Sequence, residues 1–297
     1  MNNIKNILLL GRSGQLGREV YNIISLNVNY RIYCPSREEV DLLNLKELKL
    51  YLESKKLDLI INCAAYTDVN KAENDFEKAD IINSLSTEVI ALYTADNNIR
   101  LIHISTDYVF NGKSKLPYKE EDFTNPITKY GKSKLNGEKK IKHLNPKCII
   151  IRTSWVYSIY GNNFLNKIIE MSKIKKEIKV VNDQIGCPTY AYDLAKFISN
   201  ICPEFFLDKI GKNTEIFNYS NSGSTSWFGF ACMITKEINS NCEIIPINSI
   251  EFKSLAERPK FSVLSNDKIY NRFGFIPPAW EKSLKKAITS KKILMEI

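Results

Sequence analysis

The sequence predicts an α/β protein built on a doubly wound parallel β-sheet, and three observations indicate this fold. Short apolar runs recur along the chain, helical patterns separate them, and a glycine-rich turn follows the first run. Continuous hydrophobicity is typical of strands that helices cover on both faces, and parallel strands need helical crossovers. The predicted strands are residues 6–10, 30–33, 57–61, 100–104, 148–152 and 179–181.

A glycine-rich loop follows the first predicted strand and precedes a helical pattern at residues 18–24. Glycines at this spacing let the backbone turn sharply and approach a pyrophosphate, while the helix N-terminus offers unpaired N–H groups. The position after the first strand favours a dinucleotide site in a Rossmann-type domain over residues 1–155. The predicted cofactor-binding residues of the loop are Gly11, Ser13, Gly14, Gln15, Leu16 and Gly17.

The end of the second predicted strand bears on the choice of cofactor. It reads Tyr33-Cys-Pro-Ser36-Arg37, with no carboxylate before Glu38. NAD sites usually place an acidic residue here to hold the ribose hydroxyls, whereas a basic residue suits the 2′-phosphate of NADP. Arg37, joined by Arg12 and Ser36, is the predicted 2′-phosphate ligand, so NADPH is the predicted cofactor. NADH stays open, as does the alternative that both arginines are simply solvated.

The fourth predicted strand ends in hydroxyl side chains, Ser105 and Thr106. In a parallel sheet this end lies at the carboxyl edge, beside the crevice where the glycine loop would present a cofactor. A hydroxyl at this edge is suited to holding a substrate oxygen.

A tyrosine and a lysine one helical turn apart follow the break at Asn125-Pro126. Tyr130 and Lys134, at positions i and i+4, lie on one face of the predicted helix. A nearby cation favours the phenolate and brings a tyrosine, whose ordinary pKa is about 10, closer to the range in which it moves protons at neutral pH. The spacing alone also fits an ordinary amphipathic helix. Combined with the Thr106 hydroxyl and the dinucleotide loop, it predicts carbonyl reduction by hydride transfer.

The chain after about residue 155 predicts a second, smaller lobe. The elements there are shorter and are separated by residues typical of turns and loops: Gly161, Pro188, a polar cluster at residues 220–226 and the pair Pro277-Pro278. We expect residues 156–297 to form mainly a substrate-binding lobe over the carboxyl ends of the strands. One segment near residues 189–201 is expected to pack back on the first domain.

Composition excludes several classes of protein. The 297 residues are 44% hydrophobic and 25% charged, unlike disordered, fibrous or membrane-embedded chains. The formal net charge of +9 is spread along the chain and comes mostly from lysine, so no nucleic-acid partner is expected. Seven cysteines without a CxxC pair and two histidines favour free thiols over a disulfide framework or a zinc site. With no apolar run of roughly 18 residues and no signal-peptide pattern, we expect a cytoplasmic protein without a membrane partner.

These residues resemble the extended short-chain dehydrogenase/reductase family from Gly11 to about Lys268. Six blocks fall in the family's order, and the last two are much more specific than the dehydrogenase signature. The blocks are residues 11–17, 62–73, 105–110, 125–134, 152–157 and 183–189.

The resemblance implies a role for each residue that matches a family motif. Thr106, Tyr130 and Lys134 match the catalytic triad. Tyr130 would protonate the C4 oxygen of the substrate, Thr106 would hold that oxygen, and Lys134 would tune Tyr130 and bind the nicotinamide ribose. Trp155 matches an aromatic residue beside the deoxysugar, with a core indole between the lobes as the alternative. The remaining matches are Ala64, Ala65 and Tyr66 beside the cofactor, Val69 near the sugar, and Arg258 at the nucleotide end of the substrate.

The implied function is NADPH-dependent reduction of the C4 keto group of dTDP-4-dehydro-L-rhamnose to dTDP-L-rhamnose, a nucleotide-sugar precursor of cell-surface polysaccharide. Phe261 stands before Ser262, where the family often has Asn. Reduction of another nucleotide-linked 4-keto sugar, such as a UDP-aminosugar, is therefore a second hypothesis. A third is a non-catalytic NADP-binding regulatory subunit, because the methionine adenosyltransferase β subunit resembles the same family. Some members bind Mg²⁺ at a dimer interface, but no motif here identifies the ligands, so Mg²⁺ and a homodimer both stay open.

Overall fold

The computed structural model describes residues 4–210 and 213–296, in which strands and helices alternate. The strands are β1 Lys5–Leu10, β2 Tyr30–Tyr33, β3 Leu59–Asn62, β4 Arg100–Thr106, β5 Cys148–Thr153, β6 Val156–Tyr157, β7 Glu177–Val181, β8 Ile185–Gly186, β9 Thr189–Tyr190, β10 Glu215–Tyr219, β11 Thr225–Ser226 and β12 Glu243–Ile247. The helices are α1 Gln15–Ile24, α2 Leu45–Glu53, α3 Val69–Asn74, α4 Phe76–Asp80, α5 Ser86–Asp96, α6 Lys129–Leu144, α7 Phe164–Ile174, α8 Ala191–Phe206, α9 Trp227–Glu237, α10 Ser249–Phe252, α11 Asp267–Phe273 and α12 Trp280–Glu296. One turn of π-helix, Ile81–Leu85, precedes α5, and a 3₁₀ turn, Asp107–Val109, follows β4.

The main sheet confirms the predicted fold class. It holds six strands in the order β10-β5-β4-β3-β1-β2, and every pair is parallel. In its register, Leu10 pairs with Asn62 and Asn62 pairs with His103. The carboxyl ends of β1, β3 and β4 therefore lie side by side at one edge of the sheet.

The sixth strand differs from the prediction. Residues 179–181 belong to β7, which pairs with β12 in a separate two-stranded sheet, and β10 takes the place beside β5. β10 contains polar residues, so it lacks the continuous apolar run by which the other strands of the main sheet were predicted. Asn218, the fourth of its five residues, is buried, and its polar groups have partners: its backbone N–H donates to the Glu120 carboxylate at 2.7 Å and its side chain donates to the Tyr118 carbonyl at 2.9 Å.

Helices cover both faces of the main sheet, as continuous apolar strands require. On one face, Ile7, Leu9 and Ile61 pack with residues of α1 and α8 in a single core cluster. On the other face, Leu8 and Ile60 pack with residues of α2, α5 and α6. Residues 189–201 fall on β9 and α8, and the apolar face of α8 lies in the first of these cores.

A third core lies outside the main sheet. It joins apolar residues of α7, α9, α12 and β7, with Phe230 and Leu284 fully buried. The seven cysteines carry free thiols. Among the described residues, no helix has the length and apolarity needed to cross a membrane.

Candidate active site

The glycine loop lies between β1 and α1 where two chain segments meet closely. Gly11 has φ +83°, and a Cβ there would lie 2.6 Å from the backbone nitrogen of Ala64, which follows β3. A Cβ on Gly17 would lie 2.1 Å from the Gly11 carbonyl oxygen. Larger residues at these positions would push the loop away from β3 and from its own helix. The loop therefore sits against the β1–β3 crevice, where the strand order of the sheet reverses and ligands bind in such folds.

The N-terminus of α1 fits a phosphate group. Gly14 is the N-cap residue, and it contributes no side chain that could accept hydrogen bonds from the first turn. The N–H groups and the positive end of the helix dipole are left for an anion. Ser13 beside it is exposed, while the Leu16 side chain is buried. The Gln15 side-chain carbonyl accepts a hydrogen bond from Asn163, the N-cap residue of α7, at 2.9 Å, so α7 holds this end of the loop.

Arg37 lies in the turn after β2 and is free to reach a ligand. Its side chain is 70% exposed, and its ion pair with Asp41 is long, at 3.8 Å. Ser36 and Glu39 close the same turn through two hydrogen bonds. The Arg12 guanidinium stacks 3.9 Å from the ring of Tyr21.

The segment after β3 forms a wall of the crevice. Ala64, Ala65 and Tyr66 are half-buried here. Asn83, in the π-helical turn, accepts from the Tyr66 N–H at 2.9 Å and donates to the Tyr66 carbonyl at 3.0 Å. Its side-chain amide also donates to Ser133 on α6 at 2.9 Å. Asn83 thus ties this wall to the helix that carries Tyr130 and Lys134, a role that sequence reasoning missed.

Tyr130 stands in the first turn of α6, and local interactions fix its position. Thr128 caps the helix by accepting from the Gly131 N–H at 2.9 Å. The Tyr130 ring meets the Tyr108 ring edge to face, with centroids 5.6 Å apart. Burial raises the pKa of Tyr130 above its usual value, and the Thr106 hydroxyl partly offsets this rise. The phenol therefore stays protonated at neutral pH, as a general acid must.

Thr106 is the last residue of β4, and its hydroxyl lies beside the Tyr130 phenol. It donates to the Asp107 carboxylate at 2.9 Å and accepts from the Tyr108 N–H at 3.2 Å. Burial raises the pKa of Asp107 to about 6, and hydrogen bonds from Ser262 and Thr106 limit the rise. Asp107 is a second acid next to Tyr130 that sequence reasoning did not assign.

Lys134 is buried one turn after Tyr130. Its Nζ donates to the Ile104 carbonyl at 2.6 Å and lies 3.3 Å from Nε2 of His103. Burial lowers the pKa of Lys134 to about 8, against the opposing effect of Glu138 and Cys63. Its charge therefore changes within an ordinary working range of pH.

Glu138 lies one further turn along α6, where Arg152 of β5 neutralises it. The guanidinium makes two hydrogen bonds to the carboxylate, at 2.7 and 3.0 Å, and both side chains are 1% exposed. The Ser105 hydroxyl donates to the same carboxylate. This pair locks α6, and with it Tyr130 and Lys134, onto β4 and β5.

Trp155 lies just beyond the end of β5 and directly before β6. Its backbone is left-handed, with φ 46°. Its ring stacks on Trp227, with centroids 3.6 Å apart and planes 6° from parallel, while Gly186 packs under its edge. Trp155 is half-buried. The ring is thus held rigidly, with part of its surface open.

Arg258 lies in the segment between α10 and α11 and reaches Tyr108 of the site. Its guanidinium donates to the Tyr108 hydroxyl at 3.0 Å and to the Asn70 side chain at 3.4 Å. Asn70 also accepts from the Ser254 hydroxyl at 2.9 Å, so it holds the segment before Arg258. Val69 precedes Asn70 at the start of α3 and is half-buried. Arg258 is therefore held beside Tyr108 and the start of α3, where Val69 lies.

Phe261, which departs from the family pattern, packs inward. Its ring lies 6.4 Å from that of Tyr118, beside a small core that includes Val109 and Phe110. Its backbone N–H donates to the Gly112 carbonyl at 3.2 Å.

The structure brings Thr106, Tyr130 and Lys134 together at the carboxyl edge, beside the glycine loop and the wall after β3. Sequence reasoning set His103 aside and missed Asn83 and Asn70. A signal was present for His103, because a histidine inside a continuous apolar strand is a buried polar group that needs partners. Nothing in the local sequence marks Asn70 or Asn83.

The model of the RmlD substrate binding domain family matches residues 5–293. The dTDP-4-dehydrorhamnose reductase of Aggregatibacter actinomycetemcomitans is 35% identical over 285 residues, covering 94% of this chain and 97% of that protein. The corresponding Salmonella typhimurium reductase is 34% identical over 297 residues, covering 96% of this chain and 97% of its own length. The crystal structure of dTDP-4-dehydrorhamnose reductase from Bacillus anthracis in complex with NADP superimposes with a TM-score of 0.90 at 34% identity, covering 96% of this chain and 99% of that one. The chain belongs to the RmlD substrate binding domain family.

Proposed function

We propose that this protein reduces the C4 keto group of dTDP-4-dehydro-L-rhamnose to give dTDP-L-rhamnose, with NADPH as the reductant. The observation that carries the proposal is the meeting of Tyr130, Thr106 and Lys134 at the edge of the sheet next to an uncapped helix N-terminus. The names of the relatives and the NADP in the Bacillus anthracis structure support the substrate and the cofactor.

The residues of the glycine loop fit a dinucleotide. Gly11 and Gly17 leave room that a Cβ would fill, and the first turn of α1 presents free N–H groups to a pyrophosphate. Arg37 would bind the 2′-phosphate, and the wall formed by residues 64–66 would lie beside the cofactor. When bound there, NADPH supplies the hydride that adds to C4.

Side chains of the protein carry out the proton transfer. Tyr130 donates its phenolic proton to the C4 oxygen as negative charge builds up on that oxygen. The Lys134 ammonium, one turn away, stabilises the phenolate that remains. The Thr106 hydroxyl, within hydrogen-bonding reach of the Tyr130 phenol, holds the same oxygen in line with it.

The second lobe would bind the rest of the substrate. The open part of the Trp155 ring suits the apolar face of a deoxysugar. The Arg258 guanidinium suits a diphosphate, because a planar fork of donors matches phosphate oxygens. Val69, at the start of α3, would also contact the sugar.

The direct test measures loss of NADPH absorbance with purified protein and dTDP-4-dehydrorhamnose made in situ. A UDP-linked 4-keto sugar is run in parallel. Oxidation with the dTDP sugar alone supports the proposal. Oxidation with the UDP sugar alone would overturn the choice of substrate, and NADPH binding without any turnover would favour a regulatory subunit.

Replacing Arg37 by alanine is expected to raise KM for NADPH on the order of tenfold and to leave KM for NADH nearly unchanged. The expected size is that of one lost hydrogen bond between charged groups. Steady-state kinetics with both cofactors provide the measurement. Arg31→Ala is the matched control, because Arg31 is an exposed arginine on β2 itself, before the carboxyl end of the strand that leads to Arg37. Equal effects on both cofactors would remove the 2′-phosphate role.

The pH dependence of kcat/KM should report Lys134. Below its pKa of about 8 the amine is a cation and stabilises the phenolate, and above it that charge is lost. We therefore expect kcat/KM to fall as pH rises through this value, since kcat/KM reports groups of the free enzyme. Because burial raises the pKa of Tyr130, the phenol does not titrate in the same range. A profile that stays flat well above the pKa of Lys134 would contradict this assignment.

A further inference from the structure

His103 lies in the middle of the site and yet has no role in the chemistry described above. It is on β4, 1% exposed, and its two ring nitrogens meet two different side chains. Nδ1 is 3.3 Å from the Asn62 side-chain nitrogen, and Nε2 is 3.3 Å from Nζ of Lys134. The ring therefore links β3 to α6 through the amine of the proposed active site.

Asn62 determines which nitrogen of the ring carries the proton. The Asn62 side-chain oxygen accepts a hydrogen bond from the backbone N–H of Ala64 at 3.1 Å, so the amide cannot turn without leaving that N–H facing another donor. The Asn62 NH₂ group must then point at His103 and donate to Nδ1. A neutral imidazole that accepts at Nδ1 carries its proton on Nε2. Burial, together with the charge of Lys134, lowers the pKa of His103 well below its ordinary value, so the ring stays neutral.

The Nε2 proton points at the Lys134 nitrogen. A neutral amine has a lone pair that can accept this N–H, while one of its own hydrogens goes to the Ile104 carbonyl. An ammonium has only donors, so it would face the His103 N–H without a hydrogen bond. The ring could relieve this contact only by moving its proton to Nδ1, where the proton would oppose the Asn62 NH₂ group.

We propose that His103 is a positioning residue for Lys134: held by Asn62 with its ring proton on Nε2, it faces the lysine nitrogen with a donor and thereby favours release of a proton from the ammonium. The inference deepens the proposed reduction and rests on it for its catalytic meaning. A lysine that releases its proton readily can pass that proton to the phenolate of Tyr130. A permanent cation can only stabilise the phenolate by its charge.

The other groups around Lys134 act differently. Glu138, on the same helix, favours the ammonium but is largely neutralised by Arg152 of β5. Cys63, after β3, remains a thiol because burial raises its pKa to about 12. Neither group donates a hydrogen bond to the amine. His103 is thus the neighbour whose removal selectively stabilises the charged form.

The tautomer can be observed directly by NMR, because the chain contains only two histidines. Protein labelled with ¹⁵N at the histidine rings gives two sets of ring signals, and the His143→Gln variant assigns them. We expect His103 to be neutral with its proton on Nε2 at a pH above the pKa of Lys134, and its ring shifts to step as Lys134 titrates. A proton on Nδ1 at this pH, or an imidazolium at neutral pH, would overturn the proposal.

Two variants test the effect on Lys134. Asn62→Asp replaces the NH₂ donor by an acceptor, so the proton of the His103 ring should move to Nδ1. The alkaline limb of the kcat/KM profile, where activity falls with rising pH, should then move up by about one pH unit. This is the size expected for one hydrogen bond. His103→Asn keeps a polar partner near Asn62 but removes the N–H that faces Lys134, and it should move the limb in the same direction. A purely structural histidine would lower activity or stability without moving the limb.

The exposed His143→Gln variant should leave the limb in place. If the limb stays where it is in both His103→Asn and Asn62→Asp, the proposal fails. The NMR titration needs no substrate. Absence of turnover with every 4-keto sugar would therefore refute the proposed function, while the tautomer would still be decided.

Discussion

Replacing Tyr130 by phenylalanine is expected to lower kcat by a factor of about 10² to 10⁴ while changing cofactor affinity little. The phenylalanine ring still packs against Tyr108, so the first turn of α6 and the crevice keep their shape. Only the phenolic proton is lost, and with it the transfer to the C4 oxygen. Turnover gives kcat, and NADPH fluorescence titration gives the cofactor affinity.

The matched control is Tyr93→Phe. Tyr93 on α5 donates its hydroxyl to the Lys55 carbonyl at 3.2 Å, so this variant removes one phenol hydrogen bond from another part of the fold. Its kcat should stay within a few-fold of the wild-type value. A Tyr130→Phe variant with kcat nearly as high would mean that another group supplies the proton. Asp107, whose pKa burial raises to about 6, would be the first to examine.

Replacing Arg152 by methionine is expected to cost about 3–5 kcal/mol of unfolding free energy. The substitution leaves Glu138 charged and without its partner at a position that is 1% exposed. It also removes the donor to the Glu120 carbonyl, which Arg152 reaches at 3.1 Å. Urea unfolding followed by circular dichroism measures the loss. The large expected effect comes from the uncompensated carboxylate, not from the net value of the ion pair.

The double variant Arg152→Met with Glu138→Leu separates these two contributions. With both charges gone, most of the lost stability should return, because replacing a whole buried pair is often close to neutral. Glu88→Gln is the control for an exposed pair. Lys140 and Glu88 lie 2.6 Å apart with side chains 30% and 43% exposed, so the loss should be at most about 1 kcal/mol. An Arg152→Met loss no larger than that of Glu88→Gln would show that the buried pair does not hold α6 in place.

Features that depend on neighbours in the chain were predictable. The turn at Gly11, the first turn of α1 and the shared helix face of Tyr130 and Lys134 follow from spacing alone, because a turn or a helix repeats within a few residues. The strands of the main sheet were predictable where they are continuous apolar runs. β10 was not, because Asn218 interrupts its apolar pattern and is accommodated by contacts 98 and 100 residues away in the chain.

By itself, the sequence determined the fold class, which the six parallel strands of the main sheet confirm. It also predicted the cofactor loop and the pair Tyr130 and Lys134, since each depends on a local pattern of residue types. Only the tertiary structure decided which side chains surround these residues and how burial shifts their pKa values. His103 and Lys134 are 31 residues apart in the chain, and Asn62 and His103 are 41 apart. They meet because the register of β3 and β4 and the packing of α6 bring them together. Burial there lowers the pKa values of His103 and Lys134. Contacts set by register and burial have no local pattern, so only the folded chain shows them.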